Sequence, residues 1–137
     1  MSFVLDSSVA LAWALPDESN PILDPLFDQL MTEIIMVPPV WSLEIGNVLL
    51  VAVKRGRLTV RDMNYLIKEF RGLPVEIDAM SMEVSLDETL MLAKKYELTT
   101  YDASYLELAK RREMPLATLD NKLRKACSSA KIKLLPT

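Results

Sequence analysis

Five short apolar blocks alternate with longer stretches of helical character, and that alternation leaves few architectures open. Residues 2–6, 34–37, 74–78, 116–119 and 132–135 read as strands. Between the first two, Ser7 or Ser8 caps a helix over 9–15 that stops near Pro16, and Pro21 at a first helical position starts another through residue 32. After the second strand come an apolar helix over 40–54 closed by Gly56 and a helix capped by Thr59, with Asp62 three residues on, ending at Gly72. A helix over 81–96, one capped by Thr100 over 101–113, and a short one over 121–128 complete the pattern. Short apolar strands joined by helices form a parallel sheet with helices on both faces. The expected class is α/β, a three-layer α/β/α sandwich with a central parallel sheet of about five strands. No linker-like segment or repeat divides the 137 residues, so one domain over 1–137 is expected.

Composition removes several chemistries. There is no His, which excludes Ser-His-Asp hydrolases, His-based nucleases and most transition-metal sites. The one Cys, Cys127, cannot form an internal disulfide or a zinc cluster and reads as an inert thiol. Three glycines (Gly46, Gly56, Gly72) cannot spell a phosphate-cradling loop. No basic and apolar leader opens the chain, and apolar runs such as 48–53 are far too short to span a bilayer, so a cytoplasmic protein is expected. Residues 1–53 hold seven acids and no Lys or Arg, while all 16 basic residues lie in 54–137. A local basic face beside an acidic pocket suits a nucleic-acid partner despite the net charge of -3.

Four acids stand against apolar elements. Asp6 closes the first strand and Asp120 the fourth, so both lie at the carboxyl end of a parallel sheet, where ligands bind. Glu44 interrupts the stretch 40–53, whose other polar members are Ser42 and Asn47, and Asp102 falls in a first helical turn. Each has a plain reading alone: Asp6 and Asp120 as helix caps, Asp102 as a dipole-favoured acid, Glu44 hydrogen-bonded to Asn47. Together they imply a shared site. Two carboxylates ~4 Å apart repel by about 4 kcal/mol at an effective dielectric near 20, and a divalent cation with all-oxygen ligands relieves that repulsion. Its waters then supply a nucleophile for a phosphodiester without His. Gly46, beside Glu44, suggests a close neighbour at that helix.

Other residues carry ordinary readings. Asp78 also ends a strand and is the best decoy. Trp13, Trp41 and the methionines read as core or interface. Tyr101 and Tyr105 either pack or flank the pocket. The basic clusters 54–57, 94–95 and 110–112 read as helix-end charges, whereas Lys122, Arg124 and Lys125 follow Asp120 directly and are the preferred phosphate contacts.

Four segments, Val4-Leu5-Asp6-Ser7-Ser8-Val9, Leu43-Glu44-Ile45-Gly46-Asn47-Val48-Leu49, Tyr101-Asp102-Ala103-Ser104-Tyr105-Leu106-Glu107-Leu108-Ala109 and Ala117-Thr118-Leu119-Asp120, resemble the PIN domain family of metal-dependent nucleases, and within it the VapC-type toxins of prokaryotic toxin–antitoxin pairs. The resemblance covers essentially the whole chain. It implies an α/β/α sandwich, Mg²⁺ or Mn²⁺ held by Asp6, Glu44, Asp102 and Asp120, supporting polar residues Ser8, Asn47 and Thr118, and endonucleolytic cleavage of RNA. It also implies a homodimer and a small antitoxin that silences it. Many members carry a further acid soon after the fourth, where this chain has Asn121 and Lys122. Two other readings stay open: phosphoryl transfer onto Asp6, against which Ser8 stands where a second Asp is wanted, and a non-catalytic module whose acids dock a cationic partner.

Overall fold

A computed structural model describes residues 2–137. Strands β1 (Phe3–Leu5), β2 (Ile35–Val37), β3 (Val75–Ile77), β4 (Leu116–Ala117) and β5 (Leu134–Leu135) form one sheet in the order β3-β2-β1-β4-β5. Every neighbouring pair is parallel. The helices are α1 (Ser7–Ala14), α2 (Asp24–Gln29), α3 (Val40–Lys54), α4 (Val60–Arg71), α5 (Met82–Val84), α6 (Leu90–Tyr96), α7 (Thr100–Arg112) and α8 (Asn121–Ser129). The chain steps outward from β1 to β3, then returns to lay β4 beside β1, so its winding reverses between β1 and β4. Right-handed crossovers put the outgoing and returning helices on opposite faces, giving the expected three-layer α/β/α sandwich. α1 packs on α3 and α3 on α4, while α7 lies against β1 and β4 and touches both α6 and α8.

The core runs through the middle of that arrangement. All three residues of β1 are buried, as are residues 103–109 of α7. Trp13 and Trp41 both meet Phe70 edge to face, at centroid distances of 5.8 and 6.2 Å, which settles them as packing residues. Thr59 and Asp62 form the expected reciprocal cap of α4, at 3.0 and 3.1 Å. Gly56 follows α3 with φ +74°, a left-handed value that an L side chain rarely adopts. Among the described residues no helix is long and apolar enough to cross a membrane.

Several expectations need correction. The first helix starts at Ser7, with Asp6 rather than Ser7 or Ser8 in the capping position. The helix expected over 21–32 is a 3₁₀ turn (Pro21–Leu23) followed by α2. The helix expected over 81–96 carries a wide π turn, Ser85–Thr89, between α5 and α6. Thr99, not Thr100, caps α7, its hydroxyl accepting from Asp102 N at 3.1 Å. The apolar composition of α3, which by itself reads as a mostly buried helix, is not matched by its burial: Trp41, Ile45, Leu49 and Ala52 face inward, whereas Leu43 is 76% exposed and Leu50 45%. Gly46 has nothing within 4 Å of where a Cβ would stand, so no neighbour presses on it.

Asp78 has a structural partner. Its buried carboxylate accepts both terminal nitrogens of Arg111, at 2.5 and 3.2 Å, and Arg112 Nη2 at 3.2 Å, while Arg111 Nε donates to buried Glu107 at 2.6 Å. The Arg111 bonds, working against burial, hold the Asp78 carboxyl below its ordinary value. A carboxyl lowered on folding contributes stability above its unfolded pKa and loses it as pH falls through the folded one. Asp78→Asn is therefore expected to destabilise the protein by about 1–3 kcal/mol near neutral pH, less than for a fully buried pair because Arg111 is partly exposed to screening solvent. Urea unfolding of both proteins should show the difference shrinking in acid.

Candidate active site

Four elements bring the four acids to one rim of the sheet. The β1–β4 register pairs Val4 with Leu116 and Leu5 with Ala117, so Asp6 and Thr118 emerge side by side where the winding reverses. Asp6 N donates to Ala117 O at 2.9 Å, which fixes the level. The Asp6 side chain does not cap α1. Instead Oδ2 accepts the Ser8 hydroxyl at 2.6 Å and the Thr118 hydroxyl at 2.7 Å. Those hydroxyls accept Leu119 N and Asp120 N in turn, each at 3.0 Å. Asp6 Oδ1 has only a 3.5 Å contact from Ser7, which leaves it as the available ligand oxygen. Asp120 Oδ2 accepts Leu123 N at 2.9 Å and caps α8, so its other oxygen is the available one.

Glu44 enters from α3. Its Oε1 accepts the Tyr105 hydroxyl at 2.5 Å and the Ser7 hydroxyl at 3.3 Å. Asp102 enters from the first turn of α7. The carboxylates repel one another: Glu44 and Asp120 act on Asp6, Asp102 on Glu44, and Asp120 and Asp6 on Asp102. Burial first, and this repulsion with it, raises Asp6, Glu44 and Asp102 above their ordinary values. Ser8 and Thr118 pull Asp6 back, Tyr105 and Ser7 pull Glu44 back, and Thr99 and Lys122 pull Asp102 back.

The donor set suits a hard dication: only oxygens, three groups raised by burial and repulsion, and among the described residues no ion pair from Lys or Arg to any of the four. Among those residues, too, no three acids close into a compact ligand cluster, so they stand within electrostatic reach rather than in finished coordination. Water-mediated contacts of the kind a small dication keeps would bridge that gap.

A family model for the PIN domain matches residues 3–128. The chain belongs to the PIN domain family. The fold is similar to that of FitAcB from Neisseria gonorrhoeae (16% identity, TM-score 0.68, covering 98% of this chain and 96% of that one). It is likewise similar to VapBC2 from Rickettsia felis, solved with a DNA fragment from their promoter (13% identity, TM-score 0.66, coverage 98% and 97%). A toxin–antitoxin complex from Klebsiella pneumoniae is a third such structure (14% identity, TM-score 0.58, coverage 88% and 88%). No curated protein matches the chain.

In this PIN domain Tyr105 packs in the core and its hydroxyl also donates to Glu44. It is fully buried, its phenol is pushed up by burial and then by Asp6 and Glu44, and it stays a donor. Its place three residues after Asp102, on the same helical face, was the available signal. Tyr101 is exposed and makes no such contact. Asn47 is exposed and its side chain makes no hydrogen bond with the described residues. Arg124 does not present its guanidinium for phosphate: Nη1 donates to Thr118 O and Nη2 to Pro136 O, both at 2.8 Å. Lys122 and Lys125 are exposed. The Cys127 thiol is buried and pushed up to about 12, as expected of an inert thiol.

Without a dication, carboxyls raised on folding favour the fold at low pH and withdraw that stability as pH climbs through their raised values. Asp102→Asn is expected to raise the melting temperature of the metal-free protein at neutral pH by about 3–5 °C for a gain of ~1 kcal/mol. It should also flatten the decline with pH, as calorimetry would register. Tyr105→Phe is expected to keep the fold and weaken Mn²⁺ binding by roughly 10–100-fold, measured by titration calorimetry, because Glu44 loses the donor that orients it.

Proposed function

We propose that this single PIN domain over residues 1–137 is a Mg²⁺- or Mn²⁺-dependent endoribonuclease, the VapC-type toxin of a type II toxin–antitoxin pair, acting in the cytoplasm. The observation that carries this reading is that four carboxylates from four elements lie within electrostatic reach of one another, two of them following the adjacent strands where the sheet's winding reverses, with no cationic side chain in an ion pair to them among the described residues. Asp6, Glu44 and Asp102 would hold the cation, directly or through water. The uncapped oxygen of Asp120 would complete the site or orient the attacking water. When bound, such a cation supplies a water of lowered pKa and offsets the charge developing on the phosphodiester oxygens. Ser8 and Thr118 keep Asp6 aimed, Tyr105 keeps Glu44 aimed, and Lys122 and Lys125 take flanking phosphates.

The Klebsiella neighbour, a toxin–antitoxin complex, supports a small antitoxin as partner. The contiguous exposed apolar surface of Leu43, Leu86, Leu90, Met91 and Tyr101 supports a homodimer. Nothing in the geometry favours phosphoryl transfer to Asp6, whose companion Ser8 is engaged on Oδ2.

The test is cleavage of structured and unstructured RNAs followed by gel. Activity is expected with Mg²⁺ or Mn²⁺, to be lost in chelator, and to fall by about 10²-fold or more in Asp6→Asn and Asp102→Asn. Wild-type rates in either variant would refute the assignment, and an absence of metal-dependent turnover on any RNA would leave a binding module instead.

A further inference from the structure

Beside the acidic centre, a cleft of about 390 Å³ opens between α6 and α8. Lys94, Lys95 and Tyr96 line it from the last turn of α6, and Lys122 and Lys125 from α8. All four lysines are exposed, and among the described residues none is in an ion pair. Glu97 is the one acid lining the cleft among the described residues. Helix-end complementation accounts for Lys94 and Lys95, but Lys122 lies in the first turn of α8, at the positive end of the dipole, where a cation is disfavoured. Four ammonium groups gathered on one concavity repel one another and favour an anionic occupant.

We propose that this cleft seats the phosphate backbone of the single-stranded RNA on one side of the scissile bond. The inference rests on the nuclease reading above and adds a second wall, Lys94 and Lys95, to the phosphate contacts. Continuity supports RNA: Lys122 follows Asp120 by two residues and its charge reaches Asp102, so a strand lying across the carboxylates runs directly into the cleft. Tyr96, half-buried, has Lys95 Nζ 5.4 Å from its ring centre, a cation–π contact that holds this ammonium at the cleft.

The experiment measures binding of a fluorescent single-stranded RNA against salt, in the Asp102→Asn background with Mg²⁺ so that the RNA stays intact. Each phosphate contact contributes about −0.7 to the slope of log K against log salt for single strands. Lys94→Ala with Lys95→Ala is expected to weaken binding about tenfold near ~0.1 M salt and to flatten the slope by about 1.4. Lys54→Ala with Lys68→Ala, the same change in net charge away from the cleft, should do neither. Equal effects from both pairs would reduce the cleft to bulk electrostatics and overturn the proposal. Polyglutamate of matched charge competing as well as RNA would reassign the cleft to an acidic polypeptide. Hydrolysis of bis-p-nitrophenyl phosphate by the unaltered protein with Mn²⁺ separates the two readings. If that reaction proceeds while the α6 lysines prove irrelevant to RNA, the cleft assignment fails and the nuclease stands. If the lysine dependence holds and no phosphodiester is hydrolysed, the nuclease reading fails.

Discussion

The parallel pairing of β1 with β4 is the constraint on which the site depends. It sets Leu5 opposite Ala117, and the next residue of each strand, Asp6 and Thr118, then meets across the gap. A slip of one residue would turn both side chains to opposite faces. The two hydroxyls that hold Asp6 are themselves held by backbone donors of the segment leading to Asp120. The first and last acids are thereby tied into one rigid unit, and α3 and α7 need only bring Glu44 and Asp102 up to it.

The charge pattern around that unit is uneven in a useful way. Three carboxyls are raised by burial and mutual repulsion, so the folded chain holds an unrelieved anionic pocket. Tyr105, Ser7, Ser8 and Thr118 ease that tension at Asp6 and Glu44 with neutral hydroxyls, and only at Asp102 does a nearby cation, Lys122, contribute among the described residues. Neutral donors orient the oxygens without neutralising them, which keeps the pocket attractive to a dication. The opposite choice is made at Asp78, where Arg111 and Arg112 satisfy a buried carboxylate and leave nothing for a ligand.

The order of strands and helices and the four acids were legible in the chain because punctuation residues bracket them: Pro16, Gly56, Thr59, Gly72 and the apolar blocks before Asp6 and Asp120. The features that escaped all depend on contacts distant in sequence. Thr99 and Thr100 are both good caps, and only the path of the loop chooses between them. The near-uniform apolar run of α3 hides its period, so the outward placing of Leu43, Asn47 and Leu50 left no trace in the pattern. Arg124 read as a phosphate ligand because its partners, the carbonyls of Thr118 and Pro136, are groups every residue carries. Asp78 could be told from the site acids only once Arg111, 33 residues away, was seen beside it.

The wide turn at Ser85–Thr89 bears on how this chain tolerates changes in length. A π turn takes up an extra residue while the helix on either side keeps its phase. Removing a residue there would restore ordinary α winding and leave Leu92 and Ala93 facing the interior. Removing one within α6 instead would rotate the remainder of that helix by about 100°, since an α-helix has about 3.6 residues per turn. The segment is thus a natural place for homologous chains to differ by one residue without disturbing the surfaces on either side.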